Sequence, residues 1–275
     1  MAAISIADYW THGDLLTAVL DALTRAGADV DNLSIEEVMP LDHLHGRGFE
    51  ATREVAAYLQ ISKNDHLLDI GSGVGGPARL IAHTHGCRVT GIDLTPEFCA
   101  VATELSQRLG MTDSVQFQVG DAMALPFDDA GFDAALTHNV SMNVPDKRLF
   151  FAEAFRVLKP GGRFAAAEIA AGAGGTPILP TPWAETEEGS HLTTADETHD
   201  VLEAVGFEVL DVVDGTAKAV ASYEEGRARV ARDGPPILGP HVILGEGAKE
   251  KLRNSAANVE AGRVVPVEFI CCRPA

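Results

Sequence analysis

Short, nearly apolar runs alternate with helical stretches along the middle of this chain. The runs are His66–Ile70, Arg88–Asp93, Val115–Val119, 132–137 and 163–169, and the stretches between them that have helical periodicity are 77–84, 96–109 and 146–158. Strands that are apolar on both faces and alternate with helices form parallel sheets covered on both sides. The sequence therefore predicts an α/β fold built on a mostly parallel sheet.

Helical segments outside this alternation frame the predicted sheet. Residues 8–26 and 47–60 have helical periodicity, and Gly27 is a stop signal for the first of them. After residue 171 the pattern predicts a helix near 193–205, a strand near 207–213, a helical insert near 221–260 and a last strand, Val264–Cys272, at an antiparallel edge. We divide the chain into an N-terminal helical lid segment (1–60), a core (61–171) and a C-terminal part of the same domain (172–275).

The chain is strongly acidic, with 21 Lys and Arg residues against 40 Asp and Glu and a formal net charge of −19. A field of this sign repels phosphate backbones, which disfavours nucleic acid as a partner. No signal-peptide pattern or membrane-length apolar run is visible, so we expect a cytoplasmic protein without a membrane partner. The cysteines lack metal-ligand spacing, and His83 and His85 would face apart on a helix, so no metal is expected.

A glycine motif follows the first predicted strand. Gly71, Gly73 and Gly76 have the spacing G-x-G-x-x-G, and Asp93 ends the next strand. The glycines let a ligand approach the backbone, and the acid can accept hydrogen bonds from a ribose diol. The motif alone also suits NAD(P) oxidoreductases. Those enzymes are disfavoured because Asp69 stands where they usually keep an apolar residue, and because the chain lacks a Tyr-x-x-x-Lys pair.

Further segments complete a recognisable set at 120–122, 139–143 and 157–162. Together with 66–76 and 91–93 they resemble class I S-adenosylmethionine (SAM)-dependent methyltransferases, in the bacterial small-molecule branch similar to sarcosine/dimethylglycine and ubiquinone-type methyltransferases. The flanking segments 41–48 and 258–263 are also similar to this branch. The resemblance implies SAM as cofactor and a Rossmann-like sheet of seven strands with one antiparallel strand. Residues 61–171 would then be the SAM-binding core.

The same resemblance implies a SAM site across the carboxyl ends of the first strands. Its expected cofactor-binding residues are Asp69, Gly71, Ser72, Gly73 and Gly76 around the methionine part, Asp93 and Leu94 at the ribose, Asp121, Ala122 and Met123 at the adenine, and His138 facing the sulfonium. The chain departs from the branch at His138-Asn139, where a Gln-His pair is usual.

The acceptor is less constrained than the cofactor, because methyl transfer needs a base only if the acceptor binds protonated. Our catalytic candidates are His138, His45 and His43. Our substrate-contact candidates are Tyr9, Met142, Glu168 and Trp183, for each of which a purely structural role stays open.

The predicted acceptor is a small molecule with a nitrogen nucleophile, an amine or N-heterocycle. The grounds are the histidines and acidic groups around the expected pocket, together with Trp183, which could face a cationic amine. The alternatives are O- or C-methylation of a phenol or quinone, and a non-catalytic SAM-binding regulatory subunit. We expect a monomer or a homodimer.

Overall fold

The computed structural model describes residues 6–275. Seven strands form one sheet in the order β3-β2-β1-β4-β5-β7-β6. They are β1 (His66–Ile70), β2 (Arg88–Asp93), β3 (Val115–Val119), β4 (Phe132–His138), β5 (Leu158–Ala171), β6 (Glu208–Asp214) and β7 (Val264–Cys272). Strands β1 to β5 pair in parallel, whereas β7 is antiparallel to both β5 and β6. The predicted Rossmann-like α/β sheet with one antiparallel strand is confirmed.

The helices fall into three groups along the chain. Before the sheet come α1 (Ile6–Trp10), α2 (Leu15–Arg25), α3 (Ile35–Asp42) and α4 (Phe49–Leu59); among the strands lie α5 (Gly76–His85), α6 (Pro96–Arg108), α7 (Lys147–Val157) and α8 (Ala195–Val205). Between β6 and β7 lie α9 (Thr216–Asp233), α10 (His241–Leu244) and α11 (Ala248–Glu260). Within residues 6–275, none of these helices combines the length and apolar character needed to cross a bilayer.

The place of the last strand differs from our expectation. We predicted β7 at an antiparallel edge, but it lies between β5 and β6, and β6 is the edge strand. The middle and end of β7 are almost entirely buried, whereas most residues of β6 are exposed. An apolar run such as Phe269–Cys271 needs neighbours on both sides, while the acidic residues of β6 suit an edge that must not pair with another chain.

The single helix predicted over 8–26 is divided in the structure. Helix α1 ends at Trp10 and α2 begins at Leu15. Between them the Glu97 carboxylate of α6 accepts hydrogen bonds from the backbone N–H groups of His12, Gly13 and Leu15, at 2.6, 3.1 and 2.9 Å. A carboxylate at this place satisfies donors that the start of α2 leaves unpaired. This tertiary contact overrides the continuous local periodicity.

Helix α3 was absent from the sequence prediction, although the sequence carries its start signal. Ser34 and Glu37 form a capping box, in which the Glu37 carboxylate accepts a hydrogen bond from the Ser34 N–H at 2.8 Å. The S-x-x-E pattern is a known helix start. Recognition of this pattern would have placed the helix.

One hydrophobic cluster joins the N-terminal helices to the insert. It includes Val19 of α2, Leu41 of α3, Phe98 of α6 and Ile243 of α10, together with Val74 from the glycine loop. The helices before the sheet and the insert before β7 therefore pack together beside the loop that follows β1.

We expect Glu97→Ala to lower the free energy of unfolding by about 1–2 kcal/mol, because three backbone donors lose a charged acceptor. Urea denaturation measures the change. Glu104→Ala is the matched control, because it removes only a surface pair with Arg108 on the same helix and should cost less than about 0.5 kcal/mol. Equal losses in the two variants would contradict the role given to Glu97.

Candidate active site

The glycine loop after β1 is shaped by close approaches of other parts of the chain. Gly71 and Gly73 have φ of +77° and +53°, in the left-handed region that favours glycine. A Cβ on Gly71 would lie 2.2 Å from Cγ2 of Val140, and one on Gly76 would lie 2.2 Å from the backbone oxygen of Asp42. The glycines therefore admit the loop after β4 and the end of α3 against the start of α5.

Two acidic side chains lie at this loop. The Asp93 carboxylate accepts hydrogen bonds from the N–H groups of Gly73 and Thr95, both at 2.8 Å, and burial raises its pKa. Asp69 is buried and its Oδ2 has no hydrogen-bond partner. Burial, with the nearby Asp93 charge, raises the pKa of Asp69 to about 7. A cationic ligand close to either carboxyl group would therefore favour its ionised form.

The remaining predicted cofactor residues line the same end of the sheet. Leu94 follows β2 and is exposed. Asp121 follows β3, where its carboxylate accepts a hydrogen bond from the N–H of Met123 at 2.8 Å. Ala122 and Met123 are partly buried against the central core. The ends of β1, β2 and β3 therefore form a continuous rim that carries the predicted methionine, ribose and adenine residues.

The three predicted catalytic histidines meet in space. His43 and His45 lie between α3 and α4, and His138 ends β4. The rings of His45 and His138 stack with centroids 3.4 Å apart and 10° between their planes. The ring of His43 meets that of His45 edge-on, at 5.5 Å. We call these three residues the histidine cluster.

Two members of the histidine cluster are held neutral. Burial lowers the pKa of His138 to about 3, with smaller contributions from the neighbouring His43 and Arg47 side chains. Burial also lowers the pKa of His45 well below its ordinary value, and His138 adds to this effect. Neutral imidazoles can accept a proton or a hydrogen bond. They also avoid repelling a bound cation.

His43 belongs to a buried chain of charged groups. Its Nδ1 is 2.7 Å from Asp42 Oδ1, and Asp42 Oδ2 accepts a hydrogen bond from Arg79 Nη2 at 2.9 Å. Burial would raise the pKa of Asp42, but His43 and Arg79 outweigh it and lower that pKa. Our sequence analysis missed both Asp42 and Arg79. An arginine amid the apolar residues of α5 was the available signal, because a buried arginine needs an anionic partner.

Glu168, near the end of β5, holds the loop after β4. Its Oε2 accepts hydrogen bonds from the N–H groups of Val140 and Ser141 at 3.0 and 2.9 Å, and its buried Oε1 has no partner. Burial raises the pKa of Glu168 to about 7. In the same loop the buried Met142 packs in a hydrophobic cluster with Trp183.

Trp183 and Tyr9 are already engaged with other parts of the protein. Trp183 is buried, and its Nε1 donates a hydrogen bond to Ser190 Oγ at 3.0 Å. The Tyr9 hydroxyl lies 3.2 and 3.1 Å from the carbonyl oxygens of Thr181 and Pro182. Lys251 Nζ stands 4.8 Å from the centroid of the Tyr9 ring. Tyr9 therefore contacts the 181–190 segment and α11, and Trp183 contacts Ser190 and the hydrophobic cluster that includes Met142.

Glu268 was also missed, because an antiparallel strand brings it to the site. Ala167 of β5 pairs with His138 on one side and with Glu268 of β7 on the other, so all three side chains share one face of the sheet. Glu268 is buried, and its carboxylate lies 3.7 Å from the guanidinium of Arg47. No local motif marks Glu268, since its position depends on the placement of β7.

Buried polar atoms without hydrogen-bond partners concentrate at this end of the molecule. Among the described residues they belong to His43, Asp69, Ser72, Arg79, Thr137, His138, Glu168 and Glu268. Buried polar atoms are nearly always paired in proteins, so such a concentration points to a ligand site. No cluster of three or more His, Cys, Asp or Glu residues suited to a metal ion occurs in residues 6–275.

Comparison with known proteins agrees with this geometry. Residues 68–166 match the family described as "Methyltransferase domain". An O-methyltransferase of Pyrenophora dematioidea is 32% identical over 209 residues, which cover 75% of this chain and 76% of that protein. O-methyltransferase resE of Aspergillus sclerotiorum is 33% identical over 227 residues, which cover 80% and 82% of the two proteins.

Among solved structures, the similarity extends over the whole fold. A Haemonchus contortus phosphoethanolamine N-methyltransferase 2, in complex with phosphomonomethylethanolamine and S-adenosylhomocysteine, has a TM-score of 0.76 at 19% identity and covers 100% of this chain and 62% of that one. At this identity the likeness concerns the fold alone. With the family match and the two sequence relatives, the chain belongs to the class I SAM-dependent methyltransferases, as an enzyme that uses SAM to methylate a small molecule.

Proposed function

We propose that this enzyme transfers the methyl group of SAM to a hydroxyl oxygen of a small molecule, with a phenolic hydroxyl as the first candidate. The observation that carries the proposal is the histidine cluster, in which His43 Nε2 and His138 Nδ1 are buried nitrogens without partners. A hydroxyl group can donate to such a nitrogen and lose its proton to it during the reaction. The O-methyltransferases among the sequence relatives support oxygen as the accepting atom.

The features that favoured nitrogen in the sequence have other partners in the structure. Lys251 already stands against the ring of Tyr9, one of the predicted substrate contacts. Trp183 is buried, with its indole N–H bonded to Ser190. Glu168 accepts hydrogen bonds from backbone N–H groups of the loop after β4. We therefore place a hydroxyl acceptor ahead of the amine or N-heterocycle.

The rim residues fit SAM by their chemistry. We propose that Asp69 meets the ammonium group of SAM, that Ser72 and the glycines line its methionine part, and that Asp93 accepts hydrogen bonds from the ribose. Asp69 Oδ2 and Ser72 Oγ are buried and unpaired, as a site for a polar ligand requires. SAM supplies an electrophilic methyl group on a good leaving group. The task of the chain is then to align the acceptor with that methyl group and to exclude water.

We also propose that the lid segment (1–60) and the insert between β6 and β7 close the acceptor pocket together. Their shared hydrophobic cluster, through Leu41 and Ile243, supports this role. So does the position of Tyr223 in α9, whose hydroxyl lies 3.7 Å from the place of a Cβ on Gly46. The insert thereby reaches the turn that carries His45.

The pH dependence of S-adenosylhomocysteine binding tests the role of Asp69. The free carboxyl has a pKa of about 7, and a bound ammonium group favours the ionised form. Binding below pH 7 should therefore release a proton, and affinity should rise with pH until about 7 and then level off. Isothermal titration in buffers of different ionisation enthalpy measures both effects. Asp69→Asn should remove the proton release, whereas an unchanged release in that variant would contradict the assignment.

Asp93→Ala should weaken binding of S-adenosylhomocysteine about 10- to 100-fold, because a charged acceptor of hydrogen bonds is lost. Its melting temperature should also fall, since Gly73 and Thr95 lose their acceptor. Asp113→Ala is the control, because it removes an exposed charge in the loop before β3. Unchanged affinity in a folded Asp93→Ala variant would contradict the ribose assignment.

An acceptor screen with labelled SAM tests the reaction itself. We expect methylation of phenols or other hydroxyl compounds to exceed methylation of amines, thiols and carbon nucleophiles, with products identified by mass spectrometry and NMR. SAM and S-adenosylhomocysteine should raise the melting temperature, and NAD should not. Turnover confined to amines would restore the nitrogen acceptor, and turnover confined to carbon would replace the hydroxyl proposal with C-methylation.

A further inference from the structure

We infer that His43 is the residue that takes the proton of the acceptor hydroxyl, and that Asp42 and Arg79 are positioning residues that hold His43 and connect it to the cofactor-binding loop. This inference rests on the proposed function, because it assigns the base for that same reaction. It follows from the hydrogen bonds of the three histidines, which differ although the rings are in contact.

The neighbour of His43 fixes which ring nitrogen carries its hydrogen. An ionised carboxylate accepts hydrogen bonds and cannot donate one, so at 2.7 Å from Asp42 Oδ1 the Nδ1 of His43 must be the donor. In the neutral ring Nε2 is then a bare acceptor. This nitrogen is buried and has no partner among residues 6–275. A ligand hydroxyl is the group that would satisfy it.

The other two histidines lack this arrangement. His45 has partners at both nitrogens, with Nε2 at 3.1 Å from Thr52 Oγ1 and Nδ1 at 3.3 Å from the carbonyl oxygen of Gly46. Within the part of the chain that the structure describes, His138 has an unpartnered Nδ1 and no salt bridge joins its ring to a carboxylate. The charge of Arg47 also opposes its protonation. Of the cluster, His43 is the member whose imidazolium form would have a carboxylate in direct contact.

Arg79 connects the Asp42–His43 pair to the glycine loop. Besides Asp42, its fully buried guanidinium donates hydrogen bonds to the carbonyl oxygen of Val74 at 2.6 Å and to that of Ala102 in α6 at 3.1 Å. The backbone oxygen of Asp42 also lies against Gly76. The position of the glycine loop and the orientation of His43 are therefore set by one side chain. This links cofactor binding to the placement of the base.

The proton and electron balance of the step is simple. As the acceptor oxygen forms its bond to the methyl carbon, the carbon–sulfur bond breaks and its electron pair stays on sulfur. The hydroxyl proton moves to Nε2 of His43, and the Asp42 carboxylate faces the resulting imidazolium. The positive charge leaves the sulfur and appears on His43, which returns its proton to solvent after the product departs.

Kinetics of His43→Gln test the base directly. General base catalysis contributes about 10²- to 10⁴-fold, so we expect kcat at pH 7 to fall at least about 100-fold. The dissociation constant of S-adenosylhomocysteine should stay within about threefold. The rise of kcat with pH that a base predicts for the wild type should be lost. His83→Gln, an exposed substitution on α5, is the matched control and should leave all three readouts unchanged. A His43→Gln variant with wild-type kcat and pH profile would overturn the inference.

Imidazole NMR tests the positioning residues without any turnover. In ¹⁵N-labelled wild-type protein without ligand, we expect the neutral His43 ring to carry its hydrogen on Nδ1. Asp42→Asn should move it partly or wholly to Nε2, lower kcat at least about tenfold with little change in KM, and shift the acidic limb of the kcat profile to lower pH. Asp42→Glu should restore part of the activity.

Other outcomes separate the two proposals. A hydrogen on Nε2 of His43 in the wild type would overturn the positioning role, and this spectrum needs no variant to fold. Arg79→Lys, checked by circular dichroism, should weaken S-adenosylhomocysteine binding and lower kcat together; loss of neither would overturn the link to the glycine loop. If the wild type methylates only nitrogen or carbon, the hydroxyl proposal fails, while the tautomer of His43 still decides the role of Asp42.

Discussion

The ion pair between Arg79 of α5 and Asp42 of α3 joins the N-terminal helices to the end of the sheet that carries the candidate active site. Both side chains are almost fully shielded from solvent, and removing one partner from a buried pair costs about 3–5 kcal/mol because the other charge stays uncompensated. The same guanidinium also donates hydrogen bonds to the carbonyl oxygen of Val74 and to Ala102 and Ser106 of α6. The glycine loop, α6 and the histidine cluster therefore depend on this pair for their relative positions.

At the same end of the sheet, burial disfavours the ionised form of two carboxyl groups. Burial raises the pKa of Asp69 and of Glu168 to about 7, above the ordinary values in an unfolded chain. The folded protein binds protons more tightly than the unfolded chain between those values and pH 7. These two groups therefore stabilise the free protein in acid, and that stability is lost as pH rises through 7. A cationic ligand beside such a carboxyl group would favour its ionised form and so offset this loss.

The sequence predicted the parts of the fold that are encoded locally. Strands β1, β2 and β3 have the predicted bounds, because each is a short run with apolar residues that ends at, or just before, a glycine or an acidic residue. The prediction failed where a distant contact decides. Glu97 divides the first helix, and the burial of Phe269 places β7 inside the sheet. Neither contact can be predicted from the hydrophobic periodicity of the sequence.

The candidate site also consists of a part that local motifs predict and a part that distant contacts determine. The predicted cofactor residues lie between β1 and the loop after β3, where one motif follows another along the chain. The groups around the proposed acceptor come instead from α3, β4, β5 and β7, and the partners that distinguish His43 from His45 and His138 are Asp42 and Arg79. Local sequence patterns thus identify the methyl donor, whereas they do not identify the accepting atom. The proposed assignment of the accepting atom rests on a buried nitrogen, Nε2 of His43, which is unpaired among the described residues once the N-terminal helices have packed against the sheet.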